Sequence, residues 1–213
     1  MKLLLLLLHL LPSVDQLITR IGGYWVGWAF RLTSHFGVPI IWERNFKTAV
    51  LAPFRINDKK KTILWSVIGA VFAFTAIVGL YLLLKQQFDP MHIRAEVAKL
   101  YPITKPVYLL VGLSISFLNP LMEEFYWRGF LYRKYAEKGG GLWVGILFAL
   151  HHYIIFHDWF AALPLWIATA GLALVGVIFN WLYRKTGNLY ACLSTHVAAD
   201  ISIILIGYTL LFD

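Results

Sequence analysis

Five long apolar runs, separated by short polar gaps, dominate this chain. They cover roughly 62–84, 106–128, 142–156, 160–183 and 189–212. A helix that crosses the hydrocarbon core of a bilayer needs about 20 mostly apolar residues, so these runs read as membrane spans. With 60% apolar and only 14% charged residues in 213, a soluble domain has too little interior to hide the apolar side chains. A soluble globular enzyme, a disordered chain and a coiled coil are excluded. The expected fold class is all-α, a polytopic transmembrane helical bundle of about six spans, with five to eight as the range.

The polar gaps carry the orientation signal. There are 19 Lys and Arg against 11 Asp and Glu, for a net charge of +8. In a soluble protein such a balance points to nucleic acid. Here the basic residues sit between apolar runs, where they anchor and orient spans, so no nucleic-acid partner is expected. Arg55, Lys59, Lys60 and Lys61 precede the first run, Arg133, Lys134 and Lys138 separate the second from the third, and Arg184 and Lys185 the fourth from the fifth. The positive-inside rule places those gaps in the cytoplasm and the carboxyl terminus outside. The basic gap 85–105 pulls the other way. The expected location is the cell (inner) membrane, multi-pass.

Residues 1–50 are the least legible. The run at 1–11 resembles a signal-peptide core, but Pro12-Ser13-Val14-Asp15 offers no small-x-small cleavage signal, so it reads as the start of an uncleaved membrane segment. Arg20, Arg31, His35 and Pro39 interrupt the next stretch, and Trp25, Trp28 and Trp42 suit headgroup depth. One or two spans or interfacial helices are expected there. Cys192 is the single cysteine, which excludes an internal disulfide.

An ionisable side chain at bilayer depth costs roughly 2.5–3.5 kcal/mol on the insertion scale, so each is a functional candidate. The clear runs hold Glu123, Glu124, Arg128, His151, His152, His196 and Asp200. Glu124 and Arg128 are one helical turn apart and suit an ion pair that supports the fold. Glu123 points about 100° away, leaving a second carboxylate without that cation. Two carboxylates in low dielectric favour one that takes and gives protons. His151 and His152 also diverge by about 100°, so one of them is expected to face the site, with Phe148 one turn below His152. His196 and Asp200 share a face, either as an imidazole oriented by a carboxylate or as a pair bridging helices. At ~1.5 Å per residue, Glu123, His152 and His196 lie roughly 8, 15 and 11 Å from the basic ends of their runs. All three can meet in one layer, nearer the cytoplasm.

Glu-Glu-x-x-x-Arg (Glu123, Glu124, Arg128), Phe-x-x-x-His (Phe148, His152) and His-x-x-x-Asp (His196, Asp200), in this order on three runs, resemble the CPBP family. That family holds type II CAAX prenyl endopeptidases and bacteriocin-processing or self-immunity (Abi) proteins. Gly129-Phe130-Leu131 extends the first motif, and the likeness covers about 105–210. It implies an intramembrane endopeptidase. Glu123 and His152 would activate water, His196 and Asp200 would stabilise the oxyanion, and Glu124, Arg128 and Phe148 would support the site. It divides the chain into N-terminal membrane helices, 1–104, and a catalytic helical core, 105–213. Its favoured chemistry needs no cofactor, and zinc held by Glu123, His152 and His196 is the alternative. Many members have Asn where this chain has Asp200, and an ionised aspartate cannot donate to an oxyanion. The partners implied are membrane lipid and a membrane-anchored or leader-bearing peptide or protein substrate, in a bacterial processing or sorting role.

Other chemistries lack their motifs. There is no His-Glu-x-x-His, no Gly-x-Gly-Asp and no Gly-x-Ser-x-Gly. A Cys192–His196 dyad is geometrically open but leaves Glu123 and His152 without a task. The competing class is a non-catalytic immunity or scaffold protein, or a proton-coupled carrier. A carrier is disfavoured by the lack of repeats.

Overall fold

The computed structural model describes residues 2–135 and 141–212, with side chains for 8, 10–134 and 141–212; Lys138 of the second basic gap lies outside them. Every regular element among these residues is helical. In order they are α1 (Lys2–Gly22), α2 (Tyr24–Leu32), α3 (Val38–Glu43), α4 (Lys59–Leu84), α5 (Pro90–Ala98), α6 (Lys105–Leu113), α7 (Asn119–Glu124), α8 (Arg133–Tyr135), α9 (Gly141–Phe156), α10 (Ala162–Thr186) and α11 (Tyr190–Phe212). Wider π turns at Thr33–Gly37, Ser114–Leu118 and Phe125–Tyr132 join α2 to α3, α6 to α7 and α7 to α8. Four helical segments among the described residues are long and apolar enough to cross a membrane: Lys59–Gln87, Lys105–Tyr132, Ala162–Thr186 and Tyr190–Phe212. The protein is a helical membrane bundle.

The expected runs match α4, α6–α8, α9, α10 and α11. Two of the ends carry a local stop signal. Asp58 accepts from the Lys61 amide at 3.0 Å at the start of α4, and Gly187, left-handed at φ 71°, closes α10. α9 differs from its neighbours. It has 16 residues, a rise of roughly 24 Å, which falls short of the ~30 Å hydrocarbon core.

The helices alternate in direction and their connections gather at two ends. At the basic end, Glu43 bridges Arg133 at 2.6 Å and Lys134 at 2.9 Å. The Leu189 amide donates to the Pro53 carbonyl at 2.9 Å, and Asn188 donates to Thr62 at 2.9 Å. At the other end Arg20 pairs with Asp158 at 2.6 Å, His92 meets the Asp158 carbonyl at 2.7 Å and Arg94 donates to the Leu211 carbonyl at 2.6 Å. The gap 85–105, read from sequence as a polar connection, contains α5. That helix buries Ile93 and Val97 against Tyr108 and Leu211.

Residues 1–50 form an antiparallel pair. Within α1 the Leu8 carbonyl accepts from Tyr126 at 2.6 Å, and Arg20 in its last turn lies beside Asp158. Gly23, at φ 84°, reverses the chain. α2 and α3 then return to the basic end, where Trp42 meets Phe130. Two helices are therefore added to the five clear runs.

The segment 105–135 is the centre of the bundle, and residues 122–131 are all buried. The sequence pattern predicts a single uniform helix here. Pro120 interrupts it, because proline has no amide to donate one turn back and its ring crowds that turn. The turn at Ser114–Leu118 widens instead to π geometry. α9 and α10 approach at Gly145 and Gly176, where a Cβ on Gly176 would stand 2.7 Å from the Gly145 Cα.

Candidate active site

The two glutamates close α7, and the π turn after them carries Arg128. Glu124 and Arg128 are both 0% exposed. Arg128 Nη1 donates to Glu124 Oε1 at 2.9 Å, so the pair expected from their spacing is present. Its guanidinium is held between the rings of Phe148, at 4.5 Å, and Phe179, at 4.8 Å, and Nη2 donates to the Gly176 carbonyl at 3.3 Å. The small residues at the α9–α10 crossing expose that carbonyl.

The same Glu124 oxygen accepts a second bond, from His196 Nδ1 at 2.8 Å. This corrects the orientation read from sequence. His196 is held by Glu124, from another helix. Asp200, one turn along α11, stands with Oδ2 3.7 Å from His196 Nε2, beyond a hydrogen bond. With Nδ1 engaged, Nε2 is the free atom of the imidazole.

Glu123 is 1% exposed and turns away from Arg128. Its Oε1 lies 3.8 Å from His151 Nε2, and its Oε2 lies 3.8 Å from His152 Nε2. His152 Nδ1 donates to the Phe148 carbonyl at 2.8 Å. A carbonyl only accepts, so this bond fixes the tautomer: in the neutral ring Nε2 is a lone pair directed toward Glu123. Two acceptors therefore face each other without contact, and Glu123 Oε2 and both His151 nitrogens have no hydrogen-bond partner. A donor or a cation between them would satisfy both. Phe148 also carries the ring of His152, at 4.4 Å between centroids.

His151 is a site residue that helical rotation alone does not select. Rotation separates it from His152, yet a carboxylate has two oxygens and each imidazole reaches one. Among the described residues, ligand atoms of Glu123, His151 and His152 lie within 4.8 Å of one another. The set read from sequence for zinc is Glu123, His152 and His196; the trio gathered here holds His151 where that set has His196. One carboxylate and two imidazoles are a donor set suited to zinc, and the His152 bond to Phe148 would orient its ligand atom. Cys192 is not part of the site; its thiol donates to the Phe179 carbonyl at 3.2 Å.

The N-terminal pair adds Asp15, Arg31 and His35, all from the segment that is hardest to read in sequence. The rule applied to the other spans, an ionisable residue in an apolar run, is the signal that flags each of them. His35 is fully buried against Tyr126, with 4.7 Å between centroids.

Fold and site together define a multi-pass helical membrane protein with a buried glutamate–histidine centre. Residues 105–202, which carry Glu123, Glu124, Arg128, Phe148, His152, His196 and Asp200, match the family described as type II CAAX prenyl endopeptidase Rce1-like. The match supports the resemblance of this segment to the CPBP family. No curated protein and no solved structure matches the chain.

Proposed function

We propose that the protein is an intramembrane endopeptidase in which Glu123 and His152 activate a water for attack on a scissile carbonyl. The observation that carries this reading is the facing pair of acceptors, His152 Nε2 and Glu123 Oε2, 3.8 Å apart, the glutamate oxygen having no hydrogen-bond partner. A water between them can donate one hydrogen to each. Glu123 takes a proton as the oxygen attacks, and the C–O bond forms while the carbonyl oxygen gains charge. His196 Nε2 faces that charge as a donor when the ring is cationic. Glu123 then returns the proton to the leaving amine as the C–N bond breaks. Asp200 acts through its charge on His196 rather than as a donor to the oxyanion.

Zinc remains the alternative, with Glu123, His151 and His152 as its holders; bound there, it would supply Lewis-acid polarisation. The catalytic residues belong to 105–213, and the helices of 1–104 brace that core. The site faces the cytoplasm of a bacterial cell membrane, and the substrate class is a prenylated or otherwise membrane-anchored peptide, or one bearing a leader.

The test uses the full chain in detergent or liposomes and a farnesylated CAAX reporter peptide with a fluorophore and quencher flanking the cleaved bond. Glu123→Gln and His152→Ala each abolish turnover while the wild type cleaves, and dialysis against a chelator leaves the rate unchanged. Wild-type rates in both variants overturn hydrolysis; loss on chelation, restored by zinc, moves the proposal to the metal.

A further inference from the structure

α4 lies outside the matched segment and packs on α11. Its remaining faces hold Ile63, Leu64, Val67, Ile68, Val71 and Phe72, each between 45% and 59% exposed, so in a bilayer they meet acyl chains. At the basic end of this helix an open cavity of about 280 Å³ lies between α4, the turn before it and the start of α11. Ile56, Ile63 and Val67 line it together with Tyr190, whose ring is set edge-on against Phe54 at 5.8 Å. Thr62 offers it no free hydroxyl hydrogen, because that hydroxyl donates to the Asp58 carbonyl at 2.7 Å. Ser66, on the same wall, accepts through its carbonyl from Ser194 of α11 at 3.2 Å, so the cavity follows the α4–α11 seam. The result is an apolar slot from Lys59 to Val67, roughly 12 Å along the helix.

The charge at the slot is of one sign. Lys59 is its charged lining residue, Arg55 precedes it, and Lys60 and Lys61 follow. Among the described residues none of these four has an acidic partner, whereas Arg133 and Lys134 at the same end share Glu43. The neighbouring carboxylate, Asp58, is engaged in capping α4. Cations in the first turn oppose the helix dipole, and no acidic residue stands there to offset them. Helix stability therefore does not account for the lysines. Anchoring at a membrane surface does, but anchoring needs no cavity. The level is that of the headgroups: Lys185 Nζ stands 5.9 Å over the Trp65 ring, and Trp181 meets Trp65 edge-on at 4.9 Å.

We infer that this slot binds one anionic phospholipid, with an acyl chain against Ile56, Ile63, Val67 and Tyr190 and the headgroup phosphate on the Lys59 ammonium. Lys59 lines an apolar wall with its stem, which carries the charge out to headgroup level. A zwitterionic lipid of the same chains fills the slot but brings no net charge to the lysines. The bound lipid touches both α4 and Tyr190 of α11, so it stabilises their packing by mass action. Neither the slot nor its charge enters the hydrolytic reading, and the two stand or fall separately.

The experiment uses the full chain in a neutral detergent with added phosphatidylglycerol or phosphatidylcholine of identical acyl chains. Native mass spectrometry counts the lipids retained, and thermal unfolding reads their effect. One phosphatidylglycerol per chain is retained about fivefold over phosphatidylcholine and raises Tm by about 2 °C or more. Lys59→Gln lowers that affinity about fivefold, while Lys47→Gln, the same charge change elsewhere at the basic end, stays within about twofold of wild type. Val67→Trp fills the slot and removes the retained lipid with every lysine in place; Ile63→Trp does the same if Val67→Trp fails to fold. Equal retention of the two lipids overturns the inference. So does an equal loss in Lys59→Gln and Lys47→Gln, which marks diffuse attraction, and so does wild-type retention in the slot-filling variant. Displacement of the lipid by inorganic phosphate would make the free anion the ligand and overturn it as well.

Discussion

Arg128→Met is the perturbation that most directly tests how this site is built. Arg128 has no exposed surface and neutralises Glu124, itself fully buried, across 2.9 Å. Removing one partner of a buried pair leaves an uncompensated charge and costs about 3–5 kcal/mol. Two aromatic faces at 4.5 and 4.8 Å lose their cation as well. For a chain of about this size a kcal/mol corresponds to roughly 2–4 °C in Tm, so the variant should unfold at least about 6 °C lower. Thermal unfolding of the purified protein in detergent, followed by tryptophan fluorescence, reads this directly. Among the described residues, Glu124 then keeps His196 Nδ1 as its remaining partner, and turnover of the reporter should fall with the stability. The double variant Glu124→Gln/Arg128→Met removes both charges and should recover most of the lost Tm without recovering activity. A Tm within about 2 °C of wild type for Arg128→Met alone would refute the argument that this pair is desolvated.

Other parts of the molecule carry their own expected outcomes. His151→Ala should lower kcat by about tenfold or more, and His152→Ala by roughly 10²–10⁴; wild-type kcat in His151→Ala would remove His151 from the site. Gly176→Ala drives a Cβ to 2.7 Å from the Gly145 Cα, an overpacking that costs about 1–3 kcal/mol and moves the carbonyl that accepts from Arg128; an unchanged Tm would contradict it. Burial raises Glu43, but Lys134 and Arg133 outweigh it and hold the carboxyl below its ordinary range. A depressed folded-state pKa stabilises above the unfolded value of about 4.3 and is lost as pH falls through the folded one. Glu43→Gln should therefore lower Tm at pH 7, and the gap to wild type should close as the pH falls below about 4; a gap that persists at low pH would contradict the ion-pair account.

The fold is legible where charge punctuates apolarity. The run at 62–84 becomes Lys59–Leu84 because three lysines precede it and Asp58 caps it. The helix at Pro90–Ala98 is hidden because only Ile93 and Val97 mark its buried face, too short a pattern to separate from a loop. Residues 1–50 are opaque for another reason. Their hairpin depends on a left-handed Gly23, and the Asp15–Arg31 pair is closed by a fold-back that no local spacing records. In the site, the Glu124–Arg128 bond is visible because i and i+4 are neighbours on any helix. The bond from His196 to Glu124 joins residues 72 apart, and local sequence offers Asp200 instead. His151 escapes a reading by helical rotation because rotation between adjacent residues takes no account of the width of a carboxylate.

α9, which carries both histidines that face Glu123, spans roughly 24 Å. Lipid acyl chains meeting a wall that low must compress or splay, which thins the leaflets locally at a modest energetic penalty. Such a dimple shortens the path between the aqueous phase and a buried hydrolytic centre. α9 would thereby bring solvent to chemistry that consumes it.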